Sequence, residues 1–295
     1  MKTAQAPLAA ENCPVGIGLV RSARPQDPSE RYLSDILPPV GKPACGFTDL
    51  TALRDSVAAG MDPLLYQAWR DILPPRCENR TLPDGEDPEY WHADLVVYQP
   101  GVLADRQPTR STGHWNSPDQ LEIFQTLTGT TLILIALPAP GGYTAAGYQL
   151  CHPGDIAVIP FGAWHVTWCL DGPAAVFNIY TGNEHQAPAA TSSGRAGKYH
   201  RDPGPGITAV TTSTGWQVIS TTSAQPVSGP PPSAAQLLPA GTDLARLYRD
   251  ASGTELSAVL GHARRCYGTP DLKTSGTTRG NVIAGPPAIT RTPSP

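Results

Sequence analysis

From residue 90 to about 180, short runs of β-branched and aromatic residues alternate with turn residues. Residues 94–98, 122–128, 131–137, 146–151, 156–159, 166–169 and 175–180 read as strands. Gly113, Gly129, Gly141-Gly142, Pro153-Gly154 and Asp171-Gly172 punctuate them. Many short strands at this spacing predict a sandwich or a closed barrel. Upstream the apolar period lengthens. Thr48-Asp49-Leu50 opens a helix to about Ala59, with Gly60 as its stop. Asp62-Pro63 opens a second helical candidate in which Leu64, Leu65, Trp69 and Leu73 share a face, ended by Pro74-Pro75. Downstream, 207–211 and 216–220 are strand-like, and 243–250 and 255–265 are helical.

Prolines and glycines set the divisions: 1–89 an N-terminal extension, partly helical; 90–183 the barrel; 184–205 a linker; 206–269 a C-terminal extension; 270–295 a disordered tail. A chain of 295 residues with 40% hydrophobic content is long enough to bury a sizeable core. The net charge of −4 argues against nucleic-acid binding by bulk charge. The longest apolar run, 132–137, is strand-sized, so no membrane span is expected. No apolar stretch follows Met1-Lys2-Thr3, which points to a cytoplasmic protein whose six scattered cysteines are reduced thiols.

Two segments carry candidate chemistry. The first runs from Thr112 to Gly129 and the second from His152 to His165. Residues two apart in a strand face the same way, so His114 and Asn116 project into one pocket. A turn follows with Pro118 and Asp119, and Glu122 opens the next strand, where antiparallel pairing brings it to the same place. In the second segment a Pro-Gly turn, an apolar strand and Pro160 precede His165. Two neutral imidazoles, a carboxylate and an amide oxygen suit one divalent transition metal (Fe2+, Mn2+, Zn2+ or Ni2+), with a position left open.

These segments resemble the two cupin motifs, G-H-x-H-x(5–6)-E-x(6)-G and P-G-x(5)-P-x(4)-H. They are most similar to the archaeal cupin-type glucose-6-phosphate isomerases. Asp94-Leu-Val-Val-Tyr-Gln-Pro-Gly101 stands where that subfamily has D-L-x-V-x-x-P-G; Glu122-Ile-Phe124 replaces E-V-Y, and Ile179-Tyr180 matches a strand-ending I-Y. The resemblance covers residues 90–182. It implies a mainly β fold, the cupin double-stranded β-helix (a jelly-roll barrel), with helical and irregular N- and C-terminal extensions. It implies metal ligation by His114, Glu122 and His165, with Asn116 in place of the second histidine of H-x-H. It also implies Glu122 and Tyr180 as catalytic residues, and Ser111, Thr112, Gly113 and Tyr180 around the substrate. A homodimer is expected by analogy of fold.

The bland readings stand beside these. His92, His185, His200 and His262 fit no ligand spacing and read as ordinary polar residues; His152 reads as a surface turn residue. Trp115 should face outward, and Cys151 and Cys169 should be buried core thiols. Arg106 and Arg110 precede the site and could meet an anionic substrate or simply be solvated. Three functions follow: a metal-dependent isomerase of a sugar phosphate or similar hydroxy-carbonyl compound, a non-haem iron oxygenase, or a binding cupin without catalysis.

Overall fold

The computed structural model describes residues 28–41, 46–77, 89–117, 120–139, 142–183, 204–221 and 237–268. The expectations for 78–88, 184–203 and 269–295 fall outside them. Ten strands and four helices are described: β1 Ser29–Tyr32, α1 Leu33–Ile36, α2 Leu50–Ala58, β2 Leu64–Cys77, β3 Glu89–Tyr98, β4 His114–Trp115, β5 Glu122–Ala139, β6 Gly142–Cys151, β7 Ile156–Ile159, β8 Trp164–Asn183, β9 Ile207–Thr212, β10 Gly215–Ser220, α3 Leu244–Asp250 and α4 Gly253–Tyr267.

β5 and β8 are each read by the sequence as two strands, and each is one long strand that bends at a glycine. Gly129 has φ 69° and Gly172 has φ 59°. Before its bend, β5 pairs with β7 and with the second half of β8 (Glu122↔Ile159 and Glu122↔Tyr180). After it, β5 pairs with β6 and with the first half of β8 (Thr131↔Cys151 and Ile135↔His165). Two layers result. The first runs β1-β2-β3-β8-β5-β7 and the second β4-β8-β5-β6, all antiparallel. Apolar side chains from both layers meet between them, among them Phe124, Val176 and Ile159 from the first and Ile133, Ile135 and Cys169 from the second. This is the two-layer jelly roll of the cupin type.

Each outer face is covered by the chain itself. Trp91, Leu95, Ile123, Phe177 and Ile179 of the first layer pack under Leu244, Tyr248, Leu256 and Leu260 of α3 and α4. Leu132, Leu134, Trp164 and Trp168 of the second layer pack under Ile207 and Ala209 of the β9–β10 hairpin. α3 is tied down at its start: Gln125 Oε1 accepts from Leu244 N–H at 2.8 Å, and Gln125 Nε2 donates to Thr242 O at 2.7 Å. Tyr248 Oη lies 2.9 Å from Pro74 O and 2.8 Å from Trp91 O and shares its one proton between them, and Arg76 donates to the carbonyls of Tyr248 and Ala251. α4 opens on a capping box between Ser252 and Glu255.

One expectation is corrected. Residues 62–73 do not form a helix; Leu64–Cys77 is strand β2 and runs through Pro74-Pro75. Residues 70–72 bulge opposite Asp94, because Trp69 pairs with Leu95 and Leu73 with Ala93. The bulge breaks the period of two, and Trp69, Ile72 and Leu73 all reach the outer core at a spacing that imitates a helix face. α2 matches its expectation, with Asp49 accepting from Ala52 N–H at 2.9 Å as its N-cap.

A Cβ at Gly129 would stand 2.7 Å from Pro173 O and 2.8 Å from Ala174 Cβ, whereas one at Gly154 meets nothing within 4 Å. Gly129→Ala should therefore lower unfolding free energy by about 2 kcal/mol or more, and Gly154→Ala by only about 1 kcal/mol, the cost of positive φ alone. Urea denaturation of both variants checks this. Equal losses would count against the bend at Gly129 as the tight point.

Candidate metal centre

His114 stands on β4 and pairs with His165, the second residue of β8. The segment before β4 runs along the same strand: Cys169 N–H bonds Thr109 O, Ser111 N–H bonds Thr167 O, and Asn116 N–H bonds Ala163 O. Two residues, Thr112 and Gly113, fall opposite the single Val166, so the segment carries a bulge. Gly113 is required there, with φ 75° and a Cβ position only 2.9 Å from the Trp164 ring. The bulge lets Ser111 and His114, three apart in sequence, share the inner face. Trp115 points the other way, onto the outer cluster with Trp164.

Glu122 comes from the first layer. It is the first residue of β5, next to the last residue of β7. His114, Glu122 and His165 each offer a ligand atom, and these atoms all lie within 4.8 Å of one another. His165 Nε2 is 3.3 Å from Glu122 Oε2. The two imidazoles meet edge-on with centroids 4.4 Å apart, and Phe124 packs on His165 at 5.3 Å. Gln120, which no motif in the sequence singles out, donates to Glu122 Oε1 at 2.7 Å and so fixes the carboxylate with Oε2 turned to the histidines. Its position two residues before Glu122 on an extended segment is the one signal of this role in the sequence.

Burial holds both imidazoles neutral. It pushes His114 down to about 3, helped by the Arg70 charge and opposed by the Asn116 amide. His165 is lowered well below the ordinary range by burial first and by His114 second. Neutral imidazole is the form that ligates a metal. Asn116 is 2% exposed, and neither polar atom of its amide makes a hydrogen bond of good geometry to a described residue. A buried amide left in that state is costly, and an ion or its water would satisfy it. The donor set therefore fits one divalent transition metal ion: two imidazole nitrogens and one carboxylate converge, three ligands where a closed structural site has four, with the Asn116 amide beside His114.

The other candidate residues are placed as follows. Tyr180 pairs with Glu122 across β5 and β8, and its hydroxyl is buried inside the barrel. Ser111 Oγ accepts from Thr167 N–H at 3.0 Å, and Thr112 Oγ1 lies 3.3 Å from Tyr66 Oη. Arg110 is buried and donates to Gly46 O, Gln107 Oε1, Ser111 O and Thr112 O, with its guanidinium 4.7 Å over Phe47. It braces the segment leading to β4. Arg106 donates to Thr211 O at the surface. His152 is an exposed turn residue. Cys151 and Cys169 are buried free thiols, each pushed up to about 12 by burial. His92 departs from its reading as an ordinary polar residue: it is 2% exposed and pairs with Asp71 at 2.7 Å.

No family model matches the chain, and no curated protein matches it. Solved structures with some likeness include an oxalate oxidase (19% identity over 32% of this chain and 42% of that one, TM-score 0.26). An oxalate decarboxylase from Lactobacillus farciminis shows 16% identity over 45% of this chain and 35% of that one, TM-score 0.28. KdgF from Halomonas sp. shows 15% identity over 42% of this chain and 84% of that one, TM-score 0.26. The chain thus spans less than half the length of the first two. The fold is read from the strand pairing above and does not rest on these likenesses. No helix among the described residues is long and apolar enough to cross a membrane.

Both histidines have folded-state values below the unfolded one, so the unfolded metal-free chain binds more protons as pH falls. Stability of the metal-free protein should drop from about pH 6.5 downward, by up to about 1.4 kcal/mol per histidine per pH unit. Urea midpoints at pH 7 and pH 5 test this. The double variant His114→Gln/His165→Gln should lose most of that slope.

Proposed function

We propose that this protein is a metal-dependent cupin enzyme that isomerises a small hydroxy-carbonyl compound, with sugar phosphates as the first class to test. The observation that carries the reading is the convergence of His114, Glu122 and His165 inside the barrel with Tyr180 beside Glu122. A divalent ion held there supplies Lewis-acid stabilisation to carbonyl and hydroxyl oxygens that gain negative charge during the reaction. The chain supplies the rest. Glu122, steadied by Gln120, is the carboxylate placed to move a proton between adjacent carbons. Tyr180 closes the same wall, and Phe124 with Ile159 keeps it dry.

A second reading has its own support. The group that converges is two histidines and one carboxylate, the ligand set of non-haem iron oxygenases with open positions for oxygen and substrate.

The decisive experiment loads the purified protein with Fe2+, Mn2+, Zn2+ or Ni2+ and offers a panel of aldose and ketose phosphates, following interconversion by proton NMR. Metal-dependent turnover is expected. Glu122→Gln should lower it by roughly 10²–10⁴-fold, and His165→Ala should weaken metal binding at least tenfold, measured by competition with a chromogenic chelator. No turnover with any metal, together with oxygen uptake that needs Fe2+, would transfer the assignment to the oxygenase.

A further inference from the structure

On β3 and β2, two and three strands from Glu122, lies a buried charged group. The β2 bulge wraps residues 70–72 around Asp94 of β3. The Asp94 carboxylate accepts from Asp71 N–H at 2.8 Å and from Arg70 Nη1 at 2.6 Å. Asp71 has φ 47°, a left-handed conformation that a residue with a Cβ rarely takes. In that conformation its carboxylate reaches His92 Nδ1 at 2.7 Å, with the two side chains 2% and 3% exposed. The His92 ring in turn stacks on Tyr180, with centroids 5.1 Å apart and planes at 17°. Tyr180 is the register partner of both His92 and Glu122. His92, Tyr180 and Glu122 therefore form one row on the inner face. At about 4.8 Å per strand, His92 stands about 10 Å from Glu122.

Buried ion pairs are a weak source of stability. Backbone strain at a non-glycine residue persists where the surrounding fold over-determines it, commonly beside a functional site. We propose that Asp71 and His92 are a positioning pair of the metal pocket: Asp71 holds the His92 ring, and that ring, stacked on Tyr180, fixes Tyr180 beside Glu122, where its hydroxyl meets a ligand bound at the metal centre. This rests on the metal-dependent reading above. The groups facing His92 are Asp71 from β2 and Tyr180 from β8, with Arg70 and Asp94 paired next to them. One hydrogen bond from a correctly placed hydroxyl to a metal-bound ligand alters its affinity by roughly tenfold.

The test loads the full chain with Co2+ and titrates it with azide at one pH, following the visible absorption of the metal. Tyr180→Phe and His92→Ala should each weaken azide about tenfold, and the double variant should lose little more than either, because both remove the same placed hydroxyl. His92→Phe, which keeps a stacked ring, should retain most of the affinity. Circular dichroism and the azide-free cobalt spectrum check that the fold and the metal centre are intact. Wild-type azide affinity in His92→Ala, or losses that add in the double variant, overturn the proposal. Should His92→Ala not fold, wild-type affinity in Asp71→Asn overturns it equally. A wild-type protein that takes up no Co2+ overturns the metal reading itself, a distinct result from cobalt bound with unchanged azide affinity.

Discussion

Two strands that belong to both layers govern this molecule. β5 and β8 each bend once, at Gly129 and Gly172, and they pair with one another on both sides of the bend. The bend of β5 fixes where Glu122 enters the interior from one layer, and the bend of β8 fixes where His165 enters from the other. The pairing of His114 with His165 then follows from the short β4 lying along β8. A slip of one residue in the β5–β8 ladder would put Glu122 and His165 on opposite faces of the sheet.

The interior they create is divided in character. One end is filled by Ile133, Ile135, Cys169 and Val176. The other holds neutral imidazoles, a carboxylate and an amide, groups whose burial without partners is unfavourable. Most of the polar burial elsewhere is satisfied by the chain. Arg110, which burial lowers to about 10, spends its donors on carbonyls and on Gln107. Among the pocket residues, the Asn116 amide and His165 Nδ1 make no hydrogen bond of good geometry to a described residue, and the amide lies where a ligand would complete it.

Much of the pocket is legible in the amino-acid sequence. The spacing of His114, Asn116, Glu122 and His165 carries the cupin resemblance, because a fixed ladder with fixed turns leaves little freedom in spacing. The strand runs are legible from alternation and from glycine positions, although nothing in the sequence says that 122–128 and 131–137 are one bent strand. The bulge at 70–72 is not legible. It disguises β2 as a helix, and with that the inward placing of Arg70 and Asp71 is lost. His92 looks ordinary for the same reason, since its partner lies on the disguised strand. Gln120 carries no signature of its own, because its role exists only once the Glu122 carboxylate has an orientation.

The two covers of the barrel have a consequence for how the protein is made. Residues 207–220 and 244–267 are synthesised after every strand of the double layer. Until they leave the ribosome, Trp91, Phe177 and Ile179 on one side and Leu132, Trp164 and Trp168 on the other have no shelter from water. A nascent barrel in that condition is a natural client for a chaperone that holds apolar surfaces. Its release would be timed by the arrival of Tyr248, whose hydroxyl and carbonyl both clip the late helix to early strands.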